Sequence, residues 1–507
     1  MKRDIIPLFL LFFASEFDGQ SQNSWTQKAD FGGTARYGAV AFSIGDKGYI
    51  GTGSDGISGG NSFWEYDPTD NTWTQKADFA GIPRREAVGF AIDSFGYIGT
   101  GNSNPPMKDF WQFNPLTNSW TQKTDFPGTG RRYAMGFSIG SKGYLGFGDS
   151  GFSGYKKDFW EYDPATDTWT EKAQIGGKGR AATAGFSIGN KGYVGPGGSV
   201  ASDGGAARDF WEYDPVTNVW TQKTTFPGPG RWSAVGFSIA GKGYVGTGDI
   251  ELNDFELASL KDFWEYDPVS DTWSQKADLG GSARYRAAGF AIGNKGYIGT
   301  GAYYDSICVC DYFFSDFWEY TPDCEVPSGL TTTNIKSNSA KVNWNTVATA
   351  QTYSVRYRKT GTAPWTKTST QSNFKKLAGL QPNTQYDWSV KTVCDAASNV
   401  SSDWSTPQNF TTKPMRLEDE DEADTAPEVF PNPFSSSYAV SFSLLKNSPV
   451  VIGIFDLAGK RIQTLFNASL ESGEHDISFD GAELNTGIYL LQLKTNEKTE
   501  VLKMVKE

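Results

Sequence analysis

Asp109-Phe110-Trp111-Gln112-Phe113-Asn114-Pro115, followed shortly by Asn118-Ser119-Trp120-Thr121-Gln122-Lys123, is the stretch on which the fold of this 507-residue chain turns. Close variants of it recur along the first three fifths of the sequence. Its second tryptophan falls at Trp25, Trp73, Trp120, Trp169, Trp220 and Trp273, and its first at Trp64, Trp111, Trp160, Trp211, Trp264 and Trp318. A period of roughly fifty residues means stacked supersecondary units, each unable to bury its apolar face alone.

Working outward from this stretch, the same unit opens with Arg84-Arg85-Glu86-Ala87-Val88-Gly89-Phe90-Ala91-Ile92 and continues with Gly96-Tyr97-Ile98-Gly99-Thr100-Gly101. Four short runs rich in aromatic and β-branched residues are thus separated by Gly, Asn-Pro or Asn turn chemistry, and none has helical periodicity. Each unit is predicted to be a four-stranded antiparallel sheet, and six such sheets arranged radially make a β-propeller. The chain begins with a lone fourth strand, Ser24 to Lys28, and the last unit stops after Phe317-Trp318-Glu319-Tyr320. Pairing the two would close the circle and leave no open sheet edge.

The order of the pieces resembles the Kelch repeat. The matching parts are the Arg opening the first strand, the Tyr-hydrophobe-Gly-x-Gly that closes the second, the Tyr-Asp-Pro turn after the third, and the Trp-Thr of the fourth. The resemblance covers residues 22–322 and implies a six-bladed propeller. It departs from the family at the glycine doublet, where Gly51-Thr52-Gly53 and its equivalents replace adjacent glycines, except at Gly197-Gly198.

Comparison among the units separates scaffold from candidate site. Arg36, Arg84, Arg131, Arg180, Arg231 and Arg284 recur in every unit. They suit either a carboxylate clamp or a tie between blades through carbonyls and neighbouring acids. The two positions that follow each Arg differ: Tyr37-Gly38, Arg85-Glu86, Arg132-Tyr133, Ala181-Ala182, Trp232-Ser233 and Tyr285-Arg286. Aromatic rings beside Arg and a Glu suit a sugar or peptide ligand. The segments after the second strand, on the same face, lengthen from 54–62 in the first unit to 302–316 in the last, as binding loops do. The expected ligand-binding set is therefore Arg36, Tyr37, Arg84, Arg85, Glu86, Arg131, Arg132, Tyr133, Arg180, Arg231, Trp232, Arg284, Tyr285 and Arg286.

Other chemistry is sparse. The one histidine, His475, lies outside the repeats, which removes Ser-His-Asp arrangements and His-bound metal. No cofactor is expected. Cys308-Val309-Cys310 fits a tight disulfide or two free thiols, and the acidic segment near Asp249 lacks EF-hand spacing. Carboxylate catalysis remains open through Glu86; Kelch-like sialic-acid epimerases are the analogy. The readings are a secreted or cell-surface protein that binds a glycan or an extracellular protein, or a carbohydrate-active enzyme working in the propeller channel.

The rest of the chain divides further. Lys2-Arg3 followed by apolar Ile5 to Phe13, too short to span a bilayer, predicts a signal peptide over residues 1–21. A net charge of −12 argues against a nucleic-acid partner. Residues 324–413 resemble a fibronectin type III domain, with Leu380-Gln381-Pro382-Asn383-Thr384-Gln385-Tyr386 as its tyrosine corner. Cys324 and Cys394 are placed to form a disulfide there. Residues 414–426 form an acidic linker containing Glu418-Asp419-Glu420-Asp421-Glu422. Residues 427–507 carry Val429-Phe430-Pro431-Asn432-Pro433, Ile452-Gly453-Ile454-Phe455-Asp456-Leu457-Ala458-Gly459-Lys460, Gly487-Ile488-Tyr489-Leu490-Leu491-Gln492-Leu493 and Lys503-Met504-Val505-Lys506. Together these resemble the sorting domain of the Bacteroidota type IX secretion system. That implies the secretion machinery as a partner and passage across the outer membrane; no segment after the signal peptide is long and apolar enough for a membrane helix, so no transmembrane segment is expected in the mature chain.

Overall fold

The structure is a computed structural model that describes residues 23–506, apart from 152–153, 200–205, 254–255, 306–307, 309, 396–399, 416–426, 435–436, 445 and 497. The predicted signal peptide and most of the predicted linker lie outside the described residues. Every regular element among the described residues is a β-strand. The chain divides into two compact units, one formed by Gln22–Asp323 and the other containing Cys324–Glu507.

The first unit is the six-bladed propeller. Each blade is a four-stranded antiparallel sheet. In the second blade the strands are Val88–Ile92, Phe95–Gly99, Phe110–Asn114 and Ser119–Lys123. The register sets Phe90 opposite Tyr97, Ile98 opposite Trp111, and Phe113 opposite Trp120. Both faces of a blade are covered by neighbouring blades, so Phe90, Tyr97, Phe110 and Phe113 are buried and Trp111 and Trp120 partly so. Tyr97 stacks on Phe110 at 5.5 Å, and Phe110 meets Tyr162 of the next blade edge-on at 4.8 Å and Trp169 at 5.0 Å. Such pairs each add about 0.5–1.5 kcal/mol beyond the area they bury.

The invariant glycine of the second strand has a direct packing cause. A β-carbon on Gly96 would enter the ring of Phe42, and one on Gly143 would enter the ring of Phe90, each from the preceding blade. Polar ties run alongside. The indole of Trp120 donates to the carbonyl of Ala77 at 3.0 Å, and the Ala77 amide donates to Asn118 Oδ1 at 2.8 Å.

Ring closure repeats this geometry across the chain's ends. Ser24–Lys28 pairs antiparallel with Phe317–Thr321, Trp25 opposite Tyr320. Trp25 donates to the Ala277 carbonyl at 2.9 Å, and Asn23 Oδ1 accepts from the Ala277 amide at 2.9 Å and the Tyr320 hydroxyl at 3.0 Å. Asn23 thus does for the last blade what Asn118 does for the second.

The loops after the second strands carry structure that the sequence did not reveal. Asp249–Asn253 pairs with Glu256–Ser259, and Ala302–Asp305 with Cys310–Phe313, so the two longest loops are hairpins. Cys308 and Cys310 are joined as a disulfide within the second hairpin.

The second unit contains two β-sandwich folds. In the first, Thr331–Thr333, Ala340–Asn343 and Phe374–Leu377 form one sheet, and Thr366–Thr370, Thr352–Lys359, Gln385–Asp395, Val400–Ser401 and Gln408–Thr411 form the other. Trp344 and Trp388 fill its core, and Tyr386 Oη accepts the Gln381 amide at 2.8 Å, which is the predicted tyrosine corner. Cys324 and Cys394 are bonded. In the second fold, Ser448–Phe455 and Gly487–Lys494 are the central strands of a four-stranded sheet, packed around Val440, Phe442, Ile452, Ile454, Leu491 and Leu493.

Candidate binding site at the propeller mouth

The six recurrent arginines sit between the fourth strand of one blade and the first of the next, on the face that carries the long loops. All are buried, between 0% and 5% exposed. Arg84 shows the common pattern. Its Nη2 donates to Asp109 Oδ2 at 2.7 Å, its Nη1 to the Thr100 carbonyl at 2.8 Å, its Nε to the Ile82 carbonyl at 2.9 Å, and its guanidinium lies over the Phe79 ring. Arg131, Arg180, Arg231 and Arg284 pair likewise with Asp158, Asp209, Asp262 and Asp316. Each guanidinium therefore ties the segment entering a blade to that blade's own second and third strands, and not one blade to the next. In blades two to six the paired aspartate holds the guanidinium inside the protein, which speaks against those five arginines as ligand contacts; Arg36 has no such aspartate.

The positions where blades disagree form the mouth of the channel. The second residue of each pair has left-handed backbone: φ is 62° at Gly38, 59° at Glu86, 55° at Tyr133, 50° at Ala182, 56° at Ser233 and 51° at Arg286. That conformation turns every amide toward the carbonyl of the blade before it. Glu86 donates to Gly38, Tyr133 to Glu86, Ala182 to Tyr133, Ser233 to Ala182, Arg286 to Ser233 and Gly38 to Arg286, over 2.8–3.3 Å. Six backbone hydrogen bonds thus close a ring. The first residue of each pair is instead bridged to its own blade, Tyr37 to Ser54, Arg85 to Asn102, Arg132 to Asp149, Trp232 to Asp249 and Tyr285 to Ala302.

The chemistry is concentrated on one side of this ring. Arg286 Nη1 lies 2.9 Å from Glu86 Oε1, whose carboxylate is 2% exposed, and Arg85 Nε is 3.7 Å from the same oxygen. The Arg286 guanidinium lies 5.1–5.4 Å from the ring centres of Tyr133, Tyr285 and Tyr37. Arg85 adds a second cation over Tyr37, and Arg132 one over Tyr133. The Tyr285 hydroxyl donates to Asp311 at 2.6 Å. Blades four and five place only Ala182 and Ser233 on the ring, with Trp232 beside them. The result is a half-buried cluster of cations and aromatic rings facing small side chains.

Two acids of this cluster were not singled out as site residues. Asp149 pairs with Arg132 through Nε and Nη2, both at 3.0 Å. Asp249 has a buried Oδ1 with no hydrogen-bond partner; burial pushes its carboxyl up to about 6, against the pull of the Arg286 charge. Both occupy the position that follows the second Gly of Gly-x-Gly, where the blades also disagree (Ser54, Asn102, Asp149, Asp249, Ala302). The comparison that found the mouth would have found them had it extended to that column. Among the described residues, no group of three or more His, Cys, Asp or Glu side chains is placed to hold a metal ion.

Comparisons with known proteins agree with this organisation. Residues 428–507 match the Secretion system C-terminal sorting domain family, and residues 325–408 the Fibronectin type III domain family. The chain is accordingly an exported protein of the type IX pathway, bound for the cell surface or the extracellular space, with its C-terminal domain addressing the secretion machinery. No helix among the described residues is long and apolar enough to cross a membrane. N-acetylneuraminate epimerase from Yersinia enterocolitica serotype O:8 / biotype 1B (strain NCTC 13174 / 8081) is 32% identical over 78 residues, 14% of this chain and 20% of that relative. This chain thus spans about a fifth of the length of that curated relative. The solved structure titled "Structure of YjhT" is similar at 18% identity and a TM-score of 0.49, covering 58% of this chain and 97% of that one.

Proposed function

We propose that this is a secreted or cell-surface binding protein whose propeller mouth takes an anionic glycan. The observation that carries the reading is Arg286, held among three tyrosine rings beside Arg85 and Arg132. Rings offer flat apolar faces to a sugar, and guanidinium groups bind carboxylates bidentately. The short similarity to an enzyme named for N-acetylneuraminate, itself an acidic sugar, supports the choice of charge. An acidic segment of an extracellular protein would meet the same cations.

A second reading, a carbohydrate-active enzyme, is favoured by one observation. Glu86 and Asp249 flank Arg286 in different surroundings, Glu86 ion-paired and Asp249 pushed up to about 6. A carboxyl raised in this way suits proton transfer near neutral pH.

The test is a glycan array with the exported full chain, followed by product analysis of each hit. Binding of carboxylated sugars, lost at least tenfold in Arg286→Met, is the expected result. Equal binding of neutral and carboxylated glycans, or unchanged binding by that variant, would overturn the proposal. Turnover that disappears in Asp249→Asn while binding persists would establish the enzyme.

A further inference from the structure

Blade one departs from the other five at the residue before Phe-Trp, and this difference leaves two buried donors aimed at one place. In blades two to six the residue before Phe-Trp is Asp109, Asp158, Asp209, Asp262 or Asp316. Each carboxylate accepts from the guanidinium of its blade's arginine and also from the tryptophan two residues on, at 2.6–3.1 Å. In blade one that residue is Ser62. Arg36 is still buried at 5% exposure, and still donates to the Thr34 and Thr52 carbonyls at 3.0 and 2.8 Å. Its Nη2 has only the Thr34 hydroxyl at 3.2 Å, and the indole Nε1 of Trp64 is buried with no partner.

The space between these donors has the same shape as in the paired blades. A β-carbon on Gly33 would lie 2.9 Å from Trp64 Nε1 and 3.0 Å from Arg36 Nη2. Its counterpart in blade six, on Gly281, would lie 2.7 Å from Asp316 Oδ2, 2.6 Å from Arg284 Nη2 and 2.7 Å from Trp318 Nε1. Glycine keeps room for a carboxylate in both. In the other blades that carboxylate is reached by solvent, with 17–28% of the Asp side chain exposed. The acid nearest in influence, Asp55, does not take its place: its Oδ1 accepts the amides of Ile57 and Ser58 at 3.0 and 3.1 Å. Burial without a paired acid also weakens the hold of Arg36 on its proton, to about 10.

We infer that blade one binds a small carboxylate anion between Arg36 and Trp64, in the position that an aspartate side chain fills in the other five blades. The anion lies two-pronged on Nη1 and Nη2, with one oxygen shared by the indole, so planar carboxylates are preferred over halides. The site is separate from the cluster around Arg286, and Arg286→Met leaves it intact.

The test is thermal unfolding of the full chain titrated with formate at constant ionic strength, with chloride as the balancing ion. Wild type should show a saturable rise of about 2 °C or more in the propeller transition. Ser62→Asp should melt higher without formate and lose the response, because its own carboxylate occupies the place. No rise in wild type, or an equal rise in Ser62→Asp, overturns the inference. A variant that fails to fold is bypassed by the indole N–H resonances: one should shift on adding formate and be absent in Trp64→Phe. No shift counts against the site.

Discussion

Arg286 reaches Glu86 because Gly38 stands between them on the ring and has no side chain. A β-carbon on Gly38 would lie 3.2 Å from Glu86 Cγ, and the backbone there has a φ of 62°. Gly38→Ala should therefore displace the carboxylate and lower stability by about 1 kcal/mol, read as a lower denaturation midpoint. Asp249 gives a prediction with a sign. Its folded-state pKa of about 6 lies above the ordinary aspartate value of 3.8. Between those values the native protein keeps a proton that the unfolded chain has lost. The stability is present below pH 4 and is lost as pH rises through 6. The propeller should melt higher at pH 5 than at pH 7. Asp249→Asn should flatten that difference and gain about 1–3 kcal/mol at pH 7. Asp249 illustrates what sequence comparison could not supply: that one acid among many is buried without a partner is decided by neighbours distant in the chain.

Within a blade, the strands were legible because turn residues and aromatic alternation mark them locally. The second-strand glycines were legible as invariant, but their cause lies in the adjoining blade. Gly143→Ala pushes a methyl group into Phe90 and should cost about 1–3 kcal/mol by overpacking, measured by denaturant unfolding. Asp109→Ala should cost about 3–5 kcal/mol, because it strands the fully buried Arg84. The recurrent arginines could be read either way from their repetition alone; the two readings part only when the partner aspartate, far along the chain, is seen beside the guanidinium. The hairpins over blades five and six were missed for another reason. Asp249–Asn253 and Glu256–Ser259 lack the Gly-rich two-residue turn that announces a hairpin.

At the scale of the whole chain, the boundaries of the repeat carried the most information. The offset between first and last units predicts the pairing of Ser24–Lys28 with the last blade, and the structure shows it, with the Asn23 contacts as an addition that the repeat did not announce. Deleting residues 23–30 should expose a sheet edge and a row of aromatic rings, giving a sharply lower melting temperature and aggregation; an unchanged melting curve would contradict closure. Deleting residues 427–507 should abolish export, measured as loss of the protein from the cell surface and medium. The closed ring of amides and carbonyls has a last consequence. Its six hydrogen bonds are made by main-chain atoms alone, so glycine, acid, ring and guanidinium can all stand on it. In blade order those side chains spell Gly-Glu-Tyr-Ala-Ser-Arg, a six-letter address. A change of one letter alters the mouth while leaving every hydrogen bond of the ring its donor and acceptor.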